Sequence, residues 1–133
     1  MNKSKGFTII ELIVVIAIIA VLAAIVLVNV TQYIAKGKDS SIKGNMSSMA
    51  TIAAAFYDNN SSNFVGLLTA PAFAAGVVAI NDANGTANDV VPNVIASSWC
   101  VKSALNGGGS WCVDATGYKG TVSTCNATAA TCN

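Results

Sequence analysis

Apolar residues are concentrated near the start of the chain. From Leu12 to Val28 every residue is Ile, Leu, Val or Ala, and Glu11 is the single charged residue between Phe7 and Val30. A helix rises about 1.5 Å per residue, so about 20 apolar residues cross the ~30 Å hydrocarbon layer of a bilayer. The pattern therefore predicts a membrane-length helix, followed by a polar region rich in Ser, Thr, Asn and Gly.

The helical pattern continues beyond the apolar run. Apolar residues recur every three or four positions, which is the spacing of one helix face. They are Ile42, Met46, Met49, Ile52 or Ala53, and Phe56. No proline precedes Pro71. We therefore predict one helix from about Phe7 to about Tyr57, ending near residues 58–60.

The C-terminal half is patterned more weakly. Residues 60–98 contain short apolar runs at Val77–Ile80 and Val90–Ile95, broken by Gly, Asn and Pro. We expect loops there, with a short strand or helix. Two strand-like runs, 99–105 and 110–114, flank the turn sequence Asn106–Gly109, which predicts a β-hairpin.

Four cysteines lie in the last third of the chain, at Cys100, Cys112, Cys125 and Cys132. With no histidine and no C-x-x-C spacing, a zinc or redox site is disfavoured, and two disulfides are expected. Four cysteines allow three pairings, and sequence alone does not choose among them. Because the hairpin places Cys100 roughly opposite Cys112, local structure favours Cys100–Cys112 and, by elimination, Cys125–Cys132.

Composition and charge exclude several functions. The 133 residues fit one domain, with 53% hydrophobic and only 10% charged residues. A net charge of +1 argues against nucleic acid as a partner. We interpret the lysines after the apolar run as a solvated or headgroup-facing cluster; they are Lys36, Lys38 and Lys43.

No catalytic constellation is visible, so the sequence predicts a non-enzymatic protein without a cofactor. Three aspartates were considered as calcium ligands: Asp82, Asp89 and Asp114. Scattered single aspartates in a Gly- and Asn-rich region more often form turns, so we predict no metal site. Asn60 and Asn84 begin Asn-x-Ser/Thr sequences, and their glycosylation is left open.

Three interpretations compete for the N-terminal segment. A secretory signal peptide has a shorter apolar core, of about 7–15 residues, ending in a small-residue cleavage site. A plain membrane anchor leaves Glu11 unexplained, although an acid within an apolar span is costly and points to a function. The third interpretation assigns a function to Glu11.

The stretch Lys5-Gly6-Phe7-Thr8-Ile9-Ile10-Glu11-Leu12 resembles the processing motif of type IV prepilins and pseudopilins. The resemblance implies a leader containing Lys3 and Lys5. It also implies cleavage between Gly6 and Phe7 by a prepilin peptidase, which then methylates the Phe7 amine. The likeness is strong over residues 3–30 and weak elsewhere.

The resemblance also implies that Glu11 of one subunit pairs with the Phe7 amine of its neighbour. Glu11 lies four residues after Phe7 on the same helical face, where it offsets a cationic amine and the positive helix end. Because each buried charge then needs the other, the pair would set subunit register. Thr8 is expected to support the motif, as a helix cap or start.

We therefore expect an α+β, type IV pilin-like fold, with one long helix packed on a small disulfide-stapled antiparallel β head. The expected segments are a cleaved leader (1–6), a transmembrane and filament-core helix (7–30), its amphipathic continuation (31–58) and the head (59–133). Before assembly, the chain is expected to span the inner membrane once, with its head outside. After assembly, it is expected in a filament at the cell surface.

The expected partners are further copies of the chain, the inner membrane, prepilin peptidase and the pilus assembly platform. Two alternatives stay open: a pseudopilin of a type II secretion or competence system, and a monomeric membrane-anchored adhesin or binding module.

Overall fold

The structure is a computed structural model that describes residues 6–85, 90–122 and 124–133. Helix α1 spans Ile9–Asn59, and a single 3₁₀ turn covers Leu67–Thr69. Helix α2 follows at Pro71–Asn84. Four strands complete the fold; they are β1 (Val90–Ile95), β2 (Ser98–Ala104), β3 (Ser110–Asp114) and β4 (Lys119–Thr121). The predicted α+β, pilin-like architecture is confirmed.

The chain divides into two units, Met1–Ile34 and Ala35–Asn133. In the first unit, the large apolar side chains of α1 are between 46% and 77% exposed. Nothing in the described part of this single chain covers them. This surface must therefore be removed from water by something other than the chain's own fold.

The second unit has its core between α1, α2 and one face of the sheet. The four fully buried residues of α1 are Ile42, Met46, Met49 and Ala53. They match the stripe that the spacing predicts, and Ile52 and Phe56 pack against the same cluster. Across the core, the edge of the Trp99 ring meets Phe73 of α2 at a centroid distance of 5.8 Å.

Helix α2 and strand β1 lie in the region 60–98, where loops with a short strand or helix were expected. The signals of α2 are present in the sequence: Pro71 is at the first helical turn and Gly85 ends the helix at φ 78°. At Gly76 the helix passes close to α1, because an added Cβ would lie 2.7 Å from Met49 Cγ. A larger residue there would force the buried Met49 to move.

The sheet is an antiparallel meander in the order β1-β2-β3-β4. The predicted hairpin is confirmed as β2–β3, and its tip binds α1: the backbone N–H groups of Asn106 and Gly107 donate to the Asp39 carboxylate at 2.6 and 3.0 Å. Asp39 thereby anchors the turn on the helix. The short strand β4 was not expected.

Different parts of the chain pack against the two faces of the sheet. Trp99, Val101 and Val113 belong to the main core, whereas Cys100 and Cys112 belong to a second buried cluster with Ala130. Side chains alternate between the faces of a strand, so adjacent positions serve different layers. The C-terminal tail, residues 124–133, supplies the cover on the cysteine face.

The disulfides link Cys100 to Cys125 and Cys112 to Cys132. The expected pairing, Cys100–Cys112 with Cys125–Cys132, is therefore wrong. Cys100 lies directly opposite Asp114 across the β2–β3 pair, and Cys112 lies opposite Lys102. The two cysteines share a face but are offset by two residues, and both meet the tail instead of each other.

Peptide mapping without reduction tests this connectivity. Trypsin cuts after Lys102 and Lys119, which separates Cys100, Cys112 and the pair Cys125/Cys132 into three peptides. The structure predicts that both disulfides keep all three peptides joined in one species.

A free peptide 120–133 carrying its own disulfide would contradict the pairing. Elastase cleavage at the alanines between Cys125 and Cys132 then distinguishes Cys100–Cys125 from the crossed arrangement, Cys100–Cys132 with Cys112–Cys125.

Candidate functional site

Thr8 and Glu11 form a reciprocal cap at the start of α1. The backbone N–H and the hydroxyl of Thr8 donate to Glu11 Oε2 at 2.9 and 2.7 Å. In return, the Glu11 N–H donates to Thr8 Oγ1 at 3.3 Å. This is the capping-box arrangement, in which a Thr and a Glu three residues later satisfy each other's free donors. It explains why the helix begins at Ile9, two residues after the expected start.

The cap uses one oxygen of the Glu11 carboxylate. Among residues 6–85, 90–122 and 124–133, the hydrogen bonds of this side chain run from Thr8 to Oε2, with none to Oε1. The carboxylate sits at the positive end of the helix dipole, where a negative charge is favoured. Its own chain therefore orients the acid and leaves one oxygen for a further donor.

Gly6 and Phe7 precede this cap outside the helix, and both are exposed. Nothing lies within 4 Å of the position that a Gly6 Cβ would occupy, and Phe7 is 84% exposed. Cleavage between Gly6 and Phe7 stays a prediction, and both residues are exposed among the described ones. The two leader lysines, Lys3 and Lys5, lie outside the described residues.

The first unit offers an apolar helical surface directly after this site. In the described part of the chain, α1 is the one helix long and apolar enough, by length and composition, to cross a membrane. Shallow grooves along it are lined by aliphatic side chains, such as Val14, Ile18 and Leu22. A neighbouring helix of the same composition has the complementary chemistry.

An exposed Gly–Phe junction, a capped acid and an apolar helix together have a counterpart among known families. Residues 1–27 match the family model described as the prokaryotic N-terminal methylation motif. The chain carries the type IV prepilin signature. That signature confirms the family resemblance seen in the sequence. No curated protein and no solved structure matches the chain significantly.

Residues 28–133 lie beyond the matched segment, so their chemistry has to be judged from the structure. Within the described ranges, no three His, Cys, Asp or Glu side chains are grouped as metal ligands would be. Of the aspartates considered for calcium, Asp89 lies outside the described residues. Asp82 is exposed near the end of α2.

Asp114 has a different role, because its carboxylate binds backbone and hydroxyl groups. Its Oδ1 accepts hydrogen bonds from the Thr116 N–H and hydroxyl and from the Tyr118 N–H, at 2.9, 2.6 and 3.2 Å. Its Oδ2 accepts one from the Cys132 N–H at 2.9 Å. The residue is only 3% exposed. Asp114 thus forms the β3–β4 turn and holds the tail.

These contacts determine the charge state of Asp114. Burial by itself raises the pKa of the carboxyl, but the hydrogen bonds from Cys132, Thr116 and Tyr118 outweigh it, so the pKa lies below its usual value. The ionised form is therefore the one that the fold stabilises. Sequence reasoning identified Asp114 as a turn residue but not its bond to the tail, which only the tertiary arrangement provides.

Two lysines of the second unit make contacts between α1 and the sheet. Lys43 Nζ lies 4.7 Å from the centroid of the Trp111 ring, which is a cation–π distance. Lys119 Nζ donates to Ser47 Oγ at 2.7 Å. Both contacts join α1 to the sheet. The expectation that Lys36, Lys38 and Lys43 form a solvated or headgroup-facing cluster stays a prediction.

We expect the stability of the head to fall in acid, because the fold stabilises the ionised form of Asp114. Because its folded pKa is lowered, its contribution to stability is complete above the unfolded value of about 3.9 and is lost as pH falls through the folded pKa. Unfolding of the detergent-solubilised chain, followed by tryptophan fluorescence between pH 7 and pH 3, measures this loss.

Asp114→Asn should be less stable than the wild type at pH 7, and the gap between the two should narrow below about pH 4. Asp58→Asn, which changes an exposed acid, is the matched control. A gap between wild type and Asp114→Asn that stays constant down to pH 3 would contradict the assignment.

Proposed function

We propose that this chain is the precursor of a structural, non-catalytic subunit of a type IV pilus-like surface filament. In this proposal a prepilin peptidase removes residues 1–6 and methylates the new Phe7 amine. Subunits then assemble by packing their N-terminal helices. The observation that carries the proposal is a capped acid, Glu11, at the start of an exposed apolar helix and within a prepilin signature.

The apolar surface of residues 7–34 requires two successive environments. Before assembly, the bilayer covers it, with the Ala35–Asn133 unit outside the inner membrane. After assembly, the helices of neighbouring subunits cover it, so no net exposure to water accompanies the transfer. Burial of such side chains is favourable by about 25 cal/mol per Å² relative to water, which makes either cover strongly preferred to none.

Glu11 supplies the specificity that apolar packing lacks. Aliphatic helices can slide along one another at little cost, but an ionised carboxylate in a dry core needs a partner. Cleavage creates that partner, the cationic Phe7 amine. Oε2 of Glu11 stays with Thr8 in its own chain, and Oε1 is then open to the amine of the neighbour. This pairing would fix the axial register of each added subunit.

Thr8 has the supporting part in this scheme. Its two bonds to Glu11 hold the carboxylate at the helix end before any neighbour arrives, which limits the cost of carrying an acid into the membrane. Thr8, Glu11 and Phe7 therefore act as one device, in which Thr8 orients the acid and Phe7 supplies the amine.

The same signature precedes pseudopilins of secretion and competence systems, and helix packing with an amine–acid pair would serve them equally. A monomeric anchored adhesin or binding module would keep the apolar helix in the bilayer. That alternative gives no task to Glu11, so the acid distinguishes it from a filament subunit.

Glu11→Gln tests the assembly role in cells. Gln also serves in a capping box, so the variant removes the charge while keeping the helix start. We expect membrane insertion at the wild-type level and subunit addition weakened at least a hundredfold, since removing one partner of a buried ion pair costs about 3–5 kcal/mol. Surface filaments are counted by electron microscopy and sheared-fraction immunoblots.

Asp58→Asn is again the control, because it removes an exposed acid from the other end of α1. It should leave filament numbers unchanged. Wild-type filament numbers with Glu11→Gln would refute the pairing, and a wild-type chain that stays in the membrane without filaments would favour the anchored module.

A further inference from the structure

The buried Asp114 carboxylate connects two parts of the chain that are distant in sequence. Oδ1 takes three hydrogen bonds from the β3–β4 turn, from residues two and four positions later. Oδ2 takes one from the backbone of Cys132, eighteen positions later. The Asp114 side chain therefore makes local hydrogen bonds through Oδ1 and a long-range hydrogen bond through Oδ2.

The local hydrogen bonds to Oδ1 can form before the long-range bond to Oδ2. Contacts between residues two to four apart close very short loops, whereas the tail must return over a longer loop at a higher entropic cost. Thr116 and Tyr118 can thus orient the carboxylate without any disulfide. Oδ2 is then already positioned as an acceptor when the tail arrives.

The tail leaves the pairing of its cysteines undetermined. Thr124 and Asn133 exchange two backbone hydrogen bonds of 3.0 Å, which places Cys125 directly opposite Cys132. Residues opposite each other in such a pair have Cα atoms about 4.5–5.5 Å apart, within disulfide reach. A local Cys125–Cys132 bond, the native pairing and the crossed pairing are all open to this tail.

We propose that Asp114 selects the disulfide pairing by fixing the backbone of Cys132 beside Cys112. Asp114 and Cys112 are two positions apart on β3, on the face that the tail covers. An anchor at Cys132 brings its thiol to Cys112 and turns Cys125 toward Cys100. The inference concerns folding of the head and does not depend on filament assembly.

The chemistry is ordinary thiol–disulfide exchange with a disulfide oxidant such as oxidised glutathione. The Cys132 thiolate attacks the oxidant, its S–S bond breaks, and one glutathione thiolate leaves. The Cys112 thiolate then attacks Sγ of Cys132 and displaces the second glutathione. Two protein thiols become one disulfide, and their two protons pass to two molecules of reduced glutathione.

Asp114→Asn is the decisive variant. If the amide oxygen keeps the three turn bonds, its NH₂ group faces the Cys132 N–H, so donor meets donor and the anchor is lost. The full-length chain is reduced and denatured in detergent, refolded in a glutathione buffer, quenched with acid, alkylated, and mapped with trypsin and elastase. We expect the ratio of native to non-native pairings to fall about tenfold or more.

Ser98→Ala is the matched control. The Ser98 hydroxyl donates to the Ala130 carbonyl at 2.9 Å, so its loss removes a neutral bond to the same tail but not the anchor at Cys132. We expect the pairing ratio to change less than threefold. An unchanged ratio in Asp114→Asn, or an equal fall in both variants, would overturn the proposal.

Two-cysteine proteins separate selection from a general loss of stability. Cys100→Ser with Cys125→Ser leaves Cys112 and Cys132, and the reciprocal pair leaves Cys100 and Cys125. Adding Asp114→Asn should lower the glutathione equilibrium constant for closing Cys112–Cys132 about tenfold, and that for Cys100–Cys125 much less. Equal effects on both constants, or an effect on neither, would show that Asp114 does not select.

Discussion

The apolar surface of residues 7–34 has to be kept from water, and the first unit of the molecule is organised around that requirement. In the described part of the first unit, its large apolar residues are exposed. A membrane and a bundle of like helices both satisfy the requirement. Apolar burial alone does not choose between them, nor does it set a register. In the proposed function, Glu11 and its Thr8 cap supply that specificity.

The second unit solves a different problem with the same helix. Beyond Ile34, α1 becomes one-sided, and Ile42, Met46, Met49 and Ala53 enter the core of a small α+β head. The sheet is covered by helices on one face and by the tail on the other. A head this small has little apolar core, and the two disulfides and the buried Asp114 compensate by holding the tail.

Features with a strong local period could be predicted from the sequence. The apolar run and the three-to-four spacing predicted α1 to within two residues at its start, and the turn sequence Asn106–Gly109 predicted the β2–β3 hairpin. Thr8 as a cap also followed from the motif. Helix α2 lies in the region 60–98, where loops with a short strand or helix were expected, but its bounds were not predicted, although Pro71 and Gly85 mark its ends.

The disulfide pairing depends on information that is not local. The exact β2–β3 register offsets Cys100 from Cys112 by two positions, and the tail arrives on the same face from twenty or more residues away. Neither feature has a sequence signal of its own. The Asp114–Cys132 bond has the same character, since nothing in the spacing of these residues announces their contact.

In the proposed function, Thr8 holds the Glu11 carboxylate until cleavage creates the Phe7 amine with which it pairs. The most direct measurement is the intact mass of the protein purified from cells, combined with fragmentation of its N-terminus. We expect a chain that begins at Phe7 and carries one methyl group on its amine. Its mass should also show that both disulfides are formed. A chain that keeps residues 1–6, or is cut at another position, would contradict it.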